Sequence, residues 1–118
     1  MSSGLGIATN RIFLYQGICD MRRSFDRLAY MVTDQMQENP LSGDLFVFLN
    51  RNKTMLKALY WDRDGYAIWY KRLEKGRFIT PNTDATEISR SNWMHLLEGV
   101  EVKIIKKQPR YRIIDGKS

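Results

Sequence analysis

At 118 residues the chain has the length of one domain, long enough to bury a core without disulfide or metal staples. A 43% hydrophobic and 12% aromatic composition excludes a disordered chain, and no apolar run approaches the roughly 20 residues that span a bilayer. The single cysteine, Cys19, excludes an internal disulfide and points to a reducing cytosol, while a formal charge of +6 favours polyanionic or acidic partners.

In chain order, Met1–Gly6 carries neither the basic nor the apolar stretch of a secretory signal, so residues 1–9 are expected to be a flexible leader. Arg11–Tyr15 has strand composition and is broken by Gln16-Gly17. Either Asp20 or Ser24 can then cap a helix running to about Gln37. Its apolar positions Met21, Phe25, Leu28, Met31, Val32 and Met36 recur at three- and four-residue steps, which predicts one face packed on a core. Asn39–Asp44 is turn-rich. Leu45–Leu49 is apolar on both faces, the pattern of a central strand covered on both sides. Asn50–Lys53 reads as a hairpin loop between that strand and Met55–Trp61, and the Asp/Gly turn at Asp62–Gly65 joins the latter to Tyr66–Leu73.

Gly76–Thr86 leaves the sheet as a loop. Ser89 is the expected N-cap of a second helix through Trp93, Leu96 and Leu97 that stops at Gly99. Val102–Ile105 is a candidate terminal strand, and residues from about 103 to 118 form a basic tail. The expected fold is a single α+β domain over residues 1–118. In it, a mostly antiparallel meander of three to five strands is packed by a long N-terminal helix and a shorter C-terminal one. Its expected core is Leu14, Phe25, Leu28, Val32, Phe46, Phe48, Leu56, Leu59, Ile68, Leu97 and part of the Trp/Tyr set.

Catalysis finds little support in the residue pattern. Asp20, Asp26, Asp44, Asp62, Asp64 and Glu74 are the acids that a two-metal strand-transfer site would draw on. Each has a plainer role as a cap, a turn residue or an ion-pair partner. His95 is the only histidine and reads as a surface or packing residue. Cys19 precedes a helix, but no second Cys or neighbouring His accompanies it, so a buried inert thiol is expected. No metal-ligand spacing or phosphate loop occurs, and neither a metal nor a cofactor is expected.

Binding is better supported. Arg22, Arg23 and Arg27 open the first helix. Arg51, Lys53, Lys57, Lys71, Arg72, Lys75 and Arg77 surround the aromatic hairpin. Such cations neutralise phosphates, and Tyr66, Trp69 or Tyr70 can stack on bases wherever a sheet face is open. Core packing is the competing fate of each aromatic. The alternative is a protein–protein adaptor using Phe78 and Trp93 as anchors, since interface hot spots favour large aromatics.

Five successive segments carry a family resemblance. Asp20–Leu28 resembles DMRKGFDGL, Pro40–Phe48 resembles DPFSGxLFVF, and Lys57–Tyr66 resembles KxLxWDxxGF. Trp69–Phe78 is similar to WYKRLExGRF and Leu96–Gly99 to LLEG. These are motifs of the TnpB-type accessory proteins encoded by the second open reading frame of IS66-family insertion sequences, which are unrelated to the RNA-guided nucleases of the same name. Order and spacing agree over roughly residues 11 to 100. Departures are Cys19 where the family usually has Thr, Ser24 and Arg27 where it often has Gly, and Ile79-Thr80-Pro81 in place of a Trp-Pro step. The tail after Val102 lies outside these motifs. The resemblance implies a small accessory factor for transposition that works beside a separate transposase, which carries the nuclease chemistry, and beside other proteins of the same element. The lone cysteine, the lack of a membrane-length apolar run and the basic surface add the expectations of a cytoplasmic, non-catalytic protein without membrane association and with DNA as a partner. No catalytic residues are carried over.

Overall fold

Alternating side-chain direction along a strand lets one sheet build two cores, and this chain uses both faces. The computed structural model describes residues 10–99. Its elements are β1 (Ile12–Leu14), α1 (Phe25–Asp34), β2 (Leu45–Leu49), β3 (Met55–Asp62), β4 (Gly65–Arg72), β5 (Glu87–Ile88) and α2 (Arg90–Glu98). The five strands form one sheet in the order β4-β3-β2-β1-β5. The leader, the basic tail and the Val102–Ile105 strand candidate lie outside the described residues.

Short loops make β2, β3 and β4 an antiparallel meander, as expected, with Phe46 opposite Leu59 and Ala58 opposite Trp69. The expectation of a mostly antiparallel sheet needs correction, because the sheet is mixed. β1 pairs parallel to β2, Phe13 opposite Phe46, and antiparallel to β5. The long β1–β2 connection, which holds α1, permits this, because parallel neighbours need a crossover of a dozen or more residues that a hairpin cannot supply. The long-and-short helix pair is likewise corrected, since α1 has 10 residues and α2 has 9. α1 stops before Gln37, which takes a left-handed φ of 60° while the Glu38 N–H donates back to Val32 O.

β2 is buried on both faces, as its composition predicts. Leu45, Val47 and Leu49 join Ile12, Leu14, Leu56 and Ala58 under Phe78, Trp93 and Leu96, so α2 and the loop before it cover this face. Phe46 and Phe48 join Phe13 and Leu59 against Leu28, Met31 and Val32 of α1, with Cys19 at the same core. The Phe13 and Phe46 rings stack with centroids 5.4 Å apart. Phe25 is not in the core: it remains 44% exposed at the first helical position. Met21 and the Lys57 side chain occupy the junction below that turn instead. Ile68 and Leu97 are only partly buried.

Ser24 is the residue at the α1 N-cap, but its side chain makes no capping bond. Asp20 closes the preceding turn, with Oδ1 accepting the Arg22 N–H at 2.9 Å. In α2 the expected cap is complete, with Ser89 Oγ accepting from the Asn92 N–H and Gly99 ending the helix at φ 68°. A Cβ on Gly99 would meet Leu73 Cδ1 at 3.1 Å, so glycine serves both the turn and the close approach there.

Candidate functional site

The acids are dispersed. Among the described residues no three His, Cys, Asp or Glu side chains come close enough together to hold a metal ion. Asp20 is gripped by Arg22, whose Nη2 lies 2.7 Å from Oδ2, and this holds the Asp20 carboxyl far below the usual carboxylate range. Asp44 Oδ1 accepts the Arg11 backbone N–H, and Glu74 pairs with Arg72 at 3.1 Å. Cys19 is buried, and desolvation raises its pKa, with Arg23 and Lys57 opposing the shift. His95 is exposed, its Nδ1 4.0 Å from Glu98.

The cations are gathered. β1 and β2 both finish at the end of the sheet where β3 begins and β4 ends, since Met55 lies opposite Arg72. Arg51 and Lys53 sit in the β2–β3 loop at this end. Backbone bonds then draw in the following segments: the Leu73 N–H donates to Thr54 O, and the Phe78 N–H donates to Lys53 O. Lys71, Arg72, Lys75 and Arg77 therefore cluster around the same loop. The segment leaving β1 returns here as well, because Lys57 Nζ donates to Met21 O at 2.7 Å and Arg23 O at 2.6 Å. Arg22 and Arg23 thus join the hairpin cations, with Arg27 one turn into α1.

Within this basic end the cations differ in availability. Lys57 is buried at 7% exposure, with Nζ on two carbonyls and 4.7 Å from the Tyr70 ring centroid. Its expected place on an open phosphate-binding surface is therefore corrected: its charge is spent inside the fold. Arg23 is half-buried, with Nη1 3.1 Å from Met31 Sδ. Arg27, Arg51, Lys71, Lys75 and Arg77 are exposed and have no carboxylate partner among the described residues. Strand alternation also divides the hairpin pair. Lys71 opposite Leu56 faces the α2 side, and Arg72 opposite Met55 faces the α1 side.

The aromatics divide in the same way. Tyr66 packs edge-on to Trp61 at 5.1 Å, and Trp69 packs against the α2-side core. Tyr70 is 50% exposed and borders a shallow groove with Met55, Arg72 and Glu74. Phe78 and Trp93, expected as interface anchors, are 2% and 3% exposed. They are core residues, because the loop and α2 that carry them must seal the second sheet face. Sequence reasoning missed the Arg11–Glu87 pair that ties β1 to β5 in a bidentate contact of 2.8 and 3.1 Å. Its partners lie far apart in the chain, and no local pattern announces them.

Comparison with known proteins decides the ancestry. Residues 10–107 match the family described as IS66 Orf2 like protein. The chain belongs to that family. The match reaches Lys107, so the family extends into the start of the basic tail that the motifs alone had left out. Among relatives, the uncharacterized protein y4hO of Sinorhizobium fredii is 38% identical over 93 residues, covering 77% of this chain and 81% of its own length. The uncharacterized protein y4jC of the same organism is 31% identical over 101 residues, covering 84% and 86%. No solved structure matches. Membership in the IS66 Orf2-like family associates the chain with insertion-sequence transposition. No helix among the described residues is long and apolar enough to cross a membrane.

Proposed function

We propose that this IS66 Orf2-like protein is a non-catalytic accessory factor of transposition that lays the basic end of its sheet against DNA beside the element's transposase. One observation carries the reading. Arg22, Arg27, Arg51, Lys53, Lys71, Arg72 and Arg77 come from separate stretches of sequence, and the fold collects them at one end of the sheet. Scattered surface cations have no reason to converge, whereas a polyanion meets them together. Tyr70 adds an exposed ring at the edge of this surface, suited to stacking on a base.

The test is fluorescence anisotropy of labelled duplex and single-stranded DNA with the purified protein alone. Direct contact gives a rise that falls steeply with salt, with a slope of about −0.9 per neutralised phosphate on duplex. A signal that appears only when the transposase is added would instead establish a protein–protein adaptor without DNA contact.

A further inference from the structure

The mixed sheet creates a gap that a plain meander would lack. After β1 the chain leaves toward α1, whereas after β2 it turns back at once into β3. Crevices outside the carboxyl ends of parallel strands whose connections diverge are recurrent ligand sites. Here the gap holds a cavity of about 150 Å³. Its wall is part apolar, from Tyr15, Ile18 and Pro81, and part polar, with Arg51, Lys53 and Thr80. Among the described residues no carboxylate lines it, while Arg51 and Lys53 both do.

The cationic side is held in place. Asn50 Oδ1 accepts the N–H groups of Thr54 and Met55, both at 2.9 Å, which fixes the loop. Lys53 adopts a left-handed φ of 60° between two backbone bonds: its N–H donates to Asn50 O, and its carbonyl accepts from the Phe78 N–H. Its Nζ rests 3.3 Å from Thr80 Oγ1. The Arg51 guanidinium has no partner among the described residues. The volume falls short of the roughly 300 Å³ at which small-molecule pockets begin, but it admits a tetrahedral oxyanion with a few waters.

We propose that this cleft binds a phosphate group, with Arg51 supplying a forked donor and Lys53 a point charge. The source of the phosphate, a nucleic-acid strand or free phosphate, rests on the DNA reading above. The anion chemistry of the cleft does not.

The full chain is titrated with inorganic phosphate and, separately, with a short single-stranded oligonucleotide, following backbone amides by ¹H–¹⁵N NMR and oligonucleotide affinity by anisotropy. Saturable shifts are expected at Gly17, Ile18, Arg51 and Lys53. Affinity should fall about tenfold in Arg51→Gln and in Lys53→Asn, the loss expected for a hydrogen bond to a charged group. Asn tolerates the left-handed backbone at 53, so thermal transitions should hold. Shifts with phosphate but no oligonucleotide binding support the cleft with a free-phosphate source and leave the DNA reading to the duplex titration. Oligonucleotide binding indifferent to both variants, with no variant-sensitive phosphate shift, overturns the cleft and leaves the DNA reading standing. Variant-sensitive loss with the oligonucleotide supports both. Silence at those amides with either probe overturns the cleft.

Discussion

Replacing Lys57 by Met separates a structural cation from a binding one. The side chain is 7% exposed, and its ammonium contacts Met21 O, Arg23 O and the Tyr70 ring, with no hydrogen bond or ion pair to an acid among the described residues. Methionine nearly preserves volume, so the cavity penalty is small. Two carbonyls lose a charged donor, worth roughly 1.5–3 kcal/mol each when fully buried. Both carbonyls belong to half-buried residues that water can reach in part, and removing a desolvated ammonium returns some free energy. A net loss of about 2 kcal/mol follows, which for a domain of this size lowers the melting temperature by roughly 10 °C. Urea denaturation of the wild type, Lys57→Met, Tyr70→Ala and the double variant would measure it and isolate the cation–π share, expected near 0.5–1 kcal/mol. Stability within about 0.5 kcal/mol of wild type, coupled to a loss of DNA affinity, would refute the reasoning and return Lys57 to the binding surface.

The exposed cations should behave in the opposite way. Arg22→Ala should impair transposition while leaving the melting temperature almost unchanged, because Arg22 is 91% exposed and its partner Asp20 is a surface group, whereas Arg23 is half-buried against Met31 and is left in place. A large stability loss there would make the pair structural. Glu87 and Asp20 both have depressed pKa values, caused first by hydrogen bonds from Arg11 and Arg22, so the unfolded chain binds protons more readily than the folded one. Their stabilisation is present above the ordinary carboxylate range and lost as pH falls through each group's depressed folded-state pKa, and Glu87→Gln should flatten that part of a melting-temperature profile. Trp93→Ala should cost about 3–5 kcal/mol in denaturant titration, because it empties a core position; a folded variant defective only in partner binding would contradict its burial.

Local patterns were readable where local physics decides the structure. The doubly apolar Leu45–Leu49 run, the Asp/Gly turn and the Ser89-to-Gly99 helix frame follow from composition and capping, and they stand where expected. Pairing of distant segments was less accessible. Nothing in Ile12–Leu14 states whether its neighbour runs parallel or antiparallel; the long crossover only permits the parallel pairing, and with it the cleft beside Arg51. Burial of individual side chains was less accessible still. Phe25 fits the helical stripe, yet it stands 44% exposed at the first helical position while Met21 packs against the α1-side core. Phe78 and Trp93 look like anchors because large aromatics serve interfaces and cores alike, and only the packing of α2 on the second sheet face distinguishes the two.

Burial also separates the lysines and arginines that can reach a ligand from those that cannot. Lys57 lies between Leu56 and Ala58 in β3, where alternation aims it under the turn before α1; Lys71 and Arg72 lie at the strand end, where the sheet stops covering them. One buried ammonium therefore clamps the segment that carries Arg22 and Arg23 onto the edge that carries Lys71 and Arg72. The geometry of the basic end depends on a cation that need not touch a ligand. Loss of binding in Lys57→Met would accordingly track loss of the clamp, and adding back charge on the surface would not restore it. Loss in Arg51→Gln would leave the clamp intact and remove one contact. Measured together, salt slope and melting temperature distinguish the two roles: the first variant shifts both, the second only the slope, by about one phosphate.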